Sequence, residues 1–140
     1  MRILGIDYGD SRCGFAITDA LNITVQALET LQCEGNDKMI LKKIDDYLQQ
    51  YEIDTIVVGM PFLLNGDKAE RAKKTESFIH KLKCKYNKIK IDWIDERLTT
   101  VAAHKTMNFL NVDKHKKRNI VDTISAVYIL ETYVNKNKQN

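Results

Sequence analysis

The sequence predicts one α/β domain over residues 1–140, a mixed sheet of three antiparallel strands followed by two parallel strands, with helices on both faces. Three observations carry this. Residues 2–31 hold three short β-rich runs separated by polar turns. A segment with helical spacing then leads into a continuous apolar run of strand length. A second helical segment leads into a strand that alternates. A meander followed by alternating helix and strand is the pattern of crossover units laid on a sheet.

Each element has its own local reason. "RILGIDYG" and "CGFAITD" flank the polar turn "DSR", with glycines on both sides, and read as a hairpin. "NITVQALETL" follows another short turn and carries β-branched residues, so three antiparallel strands are expected. "KMILKKIDDYLQQYE" places Ile40, Leu41, Ile44 and Leu48 at helical spacing, with Asn36 or Asp37 as the N-cap. "DTIVVGMP" is a continuous apolar run closed by Gly59 and by Pro61, the one proline of the chain. Such runs mark a parallel strand covered on both faces. "FLLNGDKA" reads as a loop, and the helix that follows, to about Tyr86, has Ala72, Phe78, Ile79 and Leu82 on its apolar side. "KIKIDWIDE" alternates Ile89, Ile91 and Trp93, as a half-buried strand does. Thr99 or Thr100 caps a helix to about Leu110, and a last helix runs from about Arg118 to Tyr133.

Composition narrows the class. Hydrophobic residues make up 44% and charged residues 29% of the chain, as in soluble globular proteins. No apolar run approaches the roughly 20 residues that cross a bilayer. The opening "MRILGIDYGD" reaches an acid before any apolar segment develops, so no signal peptide is expected and the cytosol is the expected compartment. Cys13, Cys33 and Cys84 form no CxxC pair and are read as packing residues or surface thiols. His80, His104 and His115 sit in no ligand spacing. The net charge of +3 is unevenly spread. Residues 1–62 hold 5 basic and 10 acidic side chains, whereas residues 63–140 hold 17 and 9. A basic second half suits a polyanion, though a solvated surface would look the same.

Three acids do not fit a solvated surface. Asp7 lies in the first strand, where an acid is a poor strand former and costly to bury. An acid ends the "IDWIDE" strand; alternation puts Asp95 on the side of Trp93 and Glu96 on that of Ile94, and spacing leaves the choice open. Asp122 lies in "NIVDTISAVYIL", with Ser125, Ala126 and Ile129 as its helical neighbours rather than a charged stripe. Small residues at 125 and 126 would let that helix lie close to the sheet, although an acid near a helix start also suits the dipole. Carboxylates converging from two strands and a helix repel one another unless a cation lies between them. Hard oxygen ligands suit Mg²⁺ or Mn²⁺, and two such ions serve phosphodiester hydrolysis without a cysteine, histidine or lysine nucleophile.

"GIDYGDSRCGFAITD", "VVGMPFLLNGD", "DERLTTVAAH" and "NIVDTISAVYILETY" together resemble the YqgF family of RNase H-like nucleases, in order and over nearly the whole chain. The resemblance implies an RNase H-like fold and a metal-dependent nuclease acting in 5′-end processing of precursor 16S ribosomal RNA. It carries over Asp7, Glu96 and Asp122 as catalytic and metal-holding residues, so the family decides for Glu96. It also implies a two-ion Mg²⁺ or Mn²⁺ site completed by substrate oxygens. The chain departs from the family in "NGDKAERA" and in Asp10 of "GDSRCG", while Arg12 matches the family's basic position.

Nucleic acid is the expected partner, as structured RNA or as branched DNA. "KHKKR" leads into the helix of Asp122, so Lys116, Lys117 and Arg118 are candidate phosphate contacts, with Arg12 and Arg97 beside the carboxylates. Tyr8 either stacks on a base or packs in the core. No membrane partner is expected, and monomer and weak dimer both stay open. A Holliday junction resolvase-like DNA nuclease and a non-catalytic RNA-binding module for ribosome assembly are the alternatives. "DYGDSRCG" also resembles the first phosphate loop of actin-like and sugar-kinase ATPases, but those clamp a nucleotide between two such domains.

Overall fold

The computed structural model describes residues 1–61, 70–95 and 125–136. Five strands form one sheet: β1 (Arg2–Tyr8), β2 (Arg12–Thr18), β3 (Val25–Gln32), β4 (Ile53–Met60) and β5 (Lys90–Asp95). Their order is β3-β2-β1-β4-β5. β1 pairs antiparallel with β2, and β2 antiparallel with β3. β4 lies parallel to β1, and β5 parallel to β4. The expected sheet of three antiparallel strands and two parallel ones is the one found, with β1 in its middle. Helices α1 (Asp37–Gln50) and α2 (Glu70–Lys85) connect the later strands, and residues 125–136 form a third helix, α3.

Strand alternation sends the two halves of each strand's side chains to different helices. Leu4 and Ile6 of β1, Phe15 and Ile17 of β2, and Ile56, Val58 and Met60 of β4 meet Ile40, Ile44 and Tyr47 of α1 and Phe78, Ile79 and Leu82 of α2. On the opposite face Ile3, Ala16, Val57 and Ile94 meet Ala126, Ile129, Leu130 and Tyr133 of α3. The run in β4 is continuous because both of its faces are covered. α1 starts at Asn36, whose side chain accepts from the Lys38 backbone N–H at 3.0 Å, so Asn36 rather than Asp37 is the cap. The apolar side of α2 is the one its spacing predicts: Ala72, Phe78, Ile79 and Leu82 are all buried.

β5 differs from its expected pattern. Ile94 is the buried residue, and Trp93 is 46% exposed although it continues the Ile89 and Ile91 alternation. The reason is position: β5 is the edge strand of the sheet, next to β4 alone among the described strands. Cys13 and Cys33 are buried thiols and Cys84 is an exposed one, as expected of packing and surface residues. No helix among the described residues is long and apolar enough to cross a membrane.

Candidate active site

Because β1, β4 and β5 are parallel, their carboxyl ends reach the same edge of the sheet, where an open α/β sheet places its ligands. Asp7 is the penultimate residue of β1, the central strand. It shares parity with Ile3, so it belongs to the α3 face. Gly14 pairs with Asp7 across β2. On the other side Ile6 pairs with Val58, so Gly59 is the next residue of β4. Asp7 therefore stands between two strands that contribute no side chain at its level.

α3 comes close to this face. A Cβ on Gly5 would lie 2.4 Å from Cγ of Leu130, closer than real side chains approach, so glycine is required for this helix to sit where it does. Ser125 and Ala126 are buried, as expected for the small residues that let the helix near the sheet. Sequence reasoning missed the partner of that contact; a glycine inside a strand was the available signal.

The loop after β1 is held from several sides. A Cβ on Gly9 would lie 2.5 Å from the Arg12 carbonyl oxygen, so the hairpin turn closes only with glycine there. Arg71 of α2 donates from its guanidinium to the Tyr8 carbonyl at 3.0 Å. Lys74 reaches Asp10 at 3.4 Å, and the Cys33 N–H donates to the Ser11 carbonyl at 2.9 Å. Arg71 thus ties the start of α2 to the residue after Asp7. No local pattern announces such a contact, since it joins a carbonyl to a side chain 63 residues away.

Tyr8 is a packing residue. Its ring stacks on Phe78 with centroids 4.3 Å apart, and its hydroxyl donates to Asp37 at 2.7 Å. Burial, and after it the hydrogen bond to the Asp37 carboxylate, pushes the phenol above its ordinary pKa. Arg12 opens β2 at the same edge, opposite Gln32 of β3. Asp92 accepts from the Tyr133 hydroxyl of α3 at 3.0 Å, which together with buried Ile94 fixes the even-numbered residues of β5 on the α3 face. Asp95, of the other parity, ends β5 beside Met60.

Glu96, Arg97, Lys116, Lys117, Arg118 and Asp122 lie outside the described residues, as do Thr99, Thr100, Asn65 and Gly66. Among the described residues there is no group of three acids, histidines or cysteines that could hold a metal ion. Of the three expected ligands only Asp7 is described, a hard oxygen donor of the kind divalent cations take.

Comparison with known proteins agrees with this geometry. T. thermophilus RuvC, solved with a Holliday junction substrate, superposes with a TM-score of 0.61 at 10% identity, covering 98% of this chain and 96% of that one. The fowlpox virus Holliday junction resolvase superposes at 0.57 and 15% identity, covering 97% and 99%. At those identities the likeness is one of fold. Sequence relatives are much closer. Proteins named "Putative pre-16S rRNA nuclease" from Ruminiclostridium cellulolyticum and Acetivibrio thermocellus are each 46% identical, over 97% and 96% of this chain and 95% of their own lengths. A family model described as RuvX, Holliday junction resolvase, matches residues 1–136. An RNase H-like sheet with its acid on the central strand and relatives of this closeness lead to one assignment: the chain belongs to the RuvX family, the YqgF family that its motifs resemble.

Proposed function

We propose that the chain is a single-domain, divalent-metal-dependent nuclease that hydrolyses phosphodiester bonds of structured RNA in the cytoplasm, in 5′-end processing of precursor 16S rRNA. The observation that carries this reading is the position of Asp7 at the carboxyl end of the central strand, on the α3 face and between Gly14 and Gly59. The names of the close relatives support the substrate.

Glu96 and Asp122 are proposed as its partners. Glu96 directly follows β5 and shares the parity of Asp92 and Ile94, the residues that face α3, whereas Asp95 does not. Asp122 stands three residues before Ser125, which opens the described part of α3. These three carboxylates would hold Mg²⁺ or Mn²⁺, and the bound ions supply charge neutralisation at the phosphate and an activated water. The chain's own share is to fix the oxygen donors and to bring the backbone phosphates to them. Arg12 at the start of β2 is proposed for that contact, with Arg97, Lys116, Lys117 and Arg118. Arg71 positions the β1 end by holding the Tyr8 carbonyl.

A second reading, cleavage of a branched DNA junction, is favoured by the description of the matching family. One experiment separates them. Precursor 16S rRNA and a four-way DNA junction are each incubated with wild-type protein, Asp7→Asn and Asp122→Asn, in Mg²⁺, Mn²⁺ or EDTA. Metal-dependent cleavage of the RNA, lost in both variants, is expected. Cleavage that survives both substitutions equally overturns the site assignment, and cleavage of the junction alone moves the substrate to DNA.

A further inference from the structure

Arg2 and Arg71 each hold a backbone carbonyl, at opposite ends of β1. Arg2 opens the strand and donates to the Thr18 carbonyl at 3.0 Å. Its guanidinium lies over the Tyr51 ring, 5.1 Å from the centroid, so its charge rests on an aromatic face. Arg71, in the first turn of α2, donates from Nη2 to the Tyr8 carbonyl at 3.0 Å. It is exposed, and neither a ring nor a carboxylate lies against it among the described residues. The acid of the loop after β1, Asp10, is met at 3.4 Å by Lys74, one turn further along α2.

A carbonyl orients a guanidinium without neutralising it. Arginine presents donors at Nε and at both terminal nitrogens, and one bond to Tyr8 leaves the rest of the fork for another acceptor. The backbone beneath Arg71 is fixed: Ala72 is fully buried, and the buried Thr75 hydroxyl donates to the Arg71 carbonyl at 3.0 Å. Its place is fixed as well. Carbonyls of a strand lie in the plane of the sheet, so a guanidinium bonded to Tyr8 stands at the carboxyl edge rather than inside the layer of α1 and α2. Tyr8 ends β1 and directly follows Asp7, one Cα step of about 3.8 Å. A Cβ on Gly9 would lie 3.6 Å from the same Nη2, so the guanidinium also borders the loop that follows.

We propose that Arg71 binds a backbone phosphate of the RNA next to the one that meets Asp7, using the donors that the Tyr8 carbonyl leaves over. The identity of the partner rests on the nuclease reading above; the contact itself rests on an oriented, uncompensated guanidinium at the end of β1. A phosphate supplies what the carbonyl does not, a negative charge and further acceptors for a planar fork. The substrate strand then passes from the α3 face over the carboxyl end of β1. One side chain thus fixes the end of the strand that carries Asp7 and sets the register of the strand to be cut.

Binding of a labelled precursor 16S rRNA fragment, followed by fluorescence anisotropy in EDTA across a salt series, tests this. Arg71→Gln should reduce the slope of log affinity against log salt by about 0.7–0.9, as for one lost phosphate contact, and weaken binding by about 5- to 8-fold at 0.1 M salt. Arg71→Lys keeps the charge and should retain most of the slope. Both variants lose the fork, so any loosening of β1 is common to them and cancels in that comparison. Arg2→Gln removes the same charge at the other end of the strand and should bind with a slope close to the wild type's. An unchanged slope in Arg71→Gln, or an equal change in Arg2→Gln, overturns the proposal. Slower cleavage by Arg71→Gln at an unchanged slope overturns it too, because that is the signature of holding Tyr8 alone. A reduced slope with no cleavage of the RNA by the wild type in Mg²⁺ or Mn²⁺ would overturn the nuclease reading and leave the phosphate contact standing; wild-type cleavage with an unchanged slope in Arg71→Gln would do the reverse.

Discussion

The two faces of the sheet are built differently. Toward α1 and α2 the interface is thick and made of large side chains, among them Phe15, Phe78, Leu4, Ile6, Ile56 and Leu82, all fully buried. Toward α3 it is thin: Gly5 and Ala16 lie on the sheet side and Ala126 on the helix side. Burying each large side chain contributes about 1.5–3 kcal/mol, and among the described residues the thick face holds most of the large, fully buried ones. The thin face carries Asp7. A carboxylate proposed to hold a cation is poorly served by a thick apolar wall, and Gly14 and Gly59 put no side chain beside it. Alternate residues of one strand therefore divide the work, Leu4 and Ile6 into the core and Asp7 onto the face of the proposed site.

Substitutions on the two faces should separate accordingly. Asp7→Asn is expected to lower the cleavage rate by about 10³-fold or more, roughly 4 kcal/mol, with a thermal midpoint that moves far less than for a core truncation. A large loss of stability from this change would break the division between the faces. Phe78→Ala removes the ring that stacks on Tyr8 and should destabilise by about 3–5 kcal/mol in urea unfolding. The cleavage rate of the molecules still folded should stay close to wild type, because Tyr8 and Asp7 point to opposite faces. Gly5→Ala sharpens the comparison. Its Cβ would collide with Leu130, so a cost of about 1–3 kcal/mol is expected together with a fall in cleavage as α3 is pushed off the sheet. Adding Leu130→Ala should restore part of the rate, and strict additivity of the two changes would show that the contact is not shared.

The smallest effect is expected far from the site. Asp45 accepts hydrogen bonds from Tyr86 at 2.7 Å and Lys85 at 2.9 Å, and these hold its carboxyl below the usual carboxylate range, Tyr86 contributing most. A depressed carboxyl stabilises the fold above its unfolded pKa, and that contribution is lost as pH falls through the folded value. The pair is partly exposed, so Asp45→Asn should cost only about 0.2–1 kcal/mol at neutral pH. Its unfolding free energy should then decline less steeply than the wild type's on acidification, measured by urea titration across the acid range.

Much of the site was legible wherever a residue contradicts its local pattern. Asp7 stands out because an acid inside an apolar strand is anomalous whatever surrounds it, and Asn36 because capping is decided within three residues. Trp93 misled, since alternation tells which residues share a face but not whether a helix covers that face at the edge. Arg71 was invisible because its contact is to a backbone carbonyl, which every residue possesses. The choice between Asp95 and Glu96 was equally closed to spacing; only the packing of Ile94 and the bond from Tyr133 show which side of β5 meets α3.

The sequence by itself determined the order of the elements, the apolar side of each helix, the anomalous acid and the family motifs, because periodicity, caps and turns act between near neighbours. The tertiary structure decided that β1 is the central strand, that Gly14 and Gly59 flank Asp7, that Gly5 admits α3, and that Arg71 of α2 holds the Tyr8 carbonyl. Those outcomes depend on which strands pair and which faces meet, and such long-range choices are set by packing the whole chain at once rather than by any local pattern.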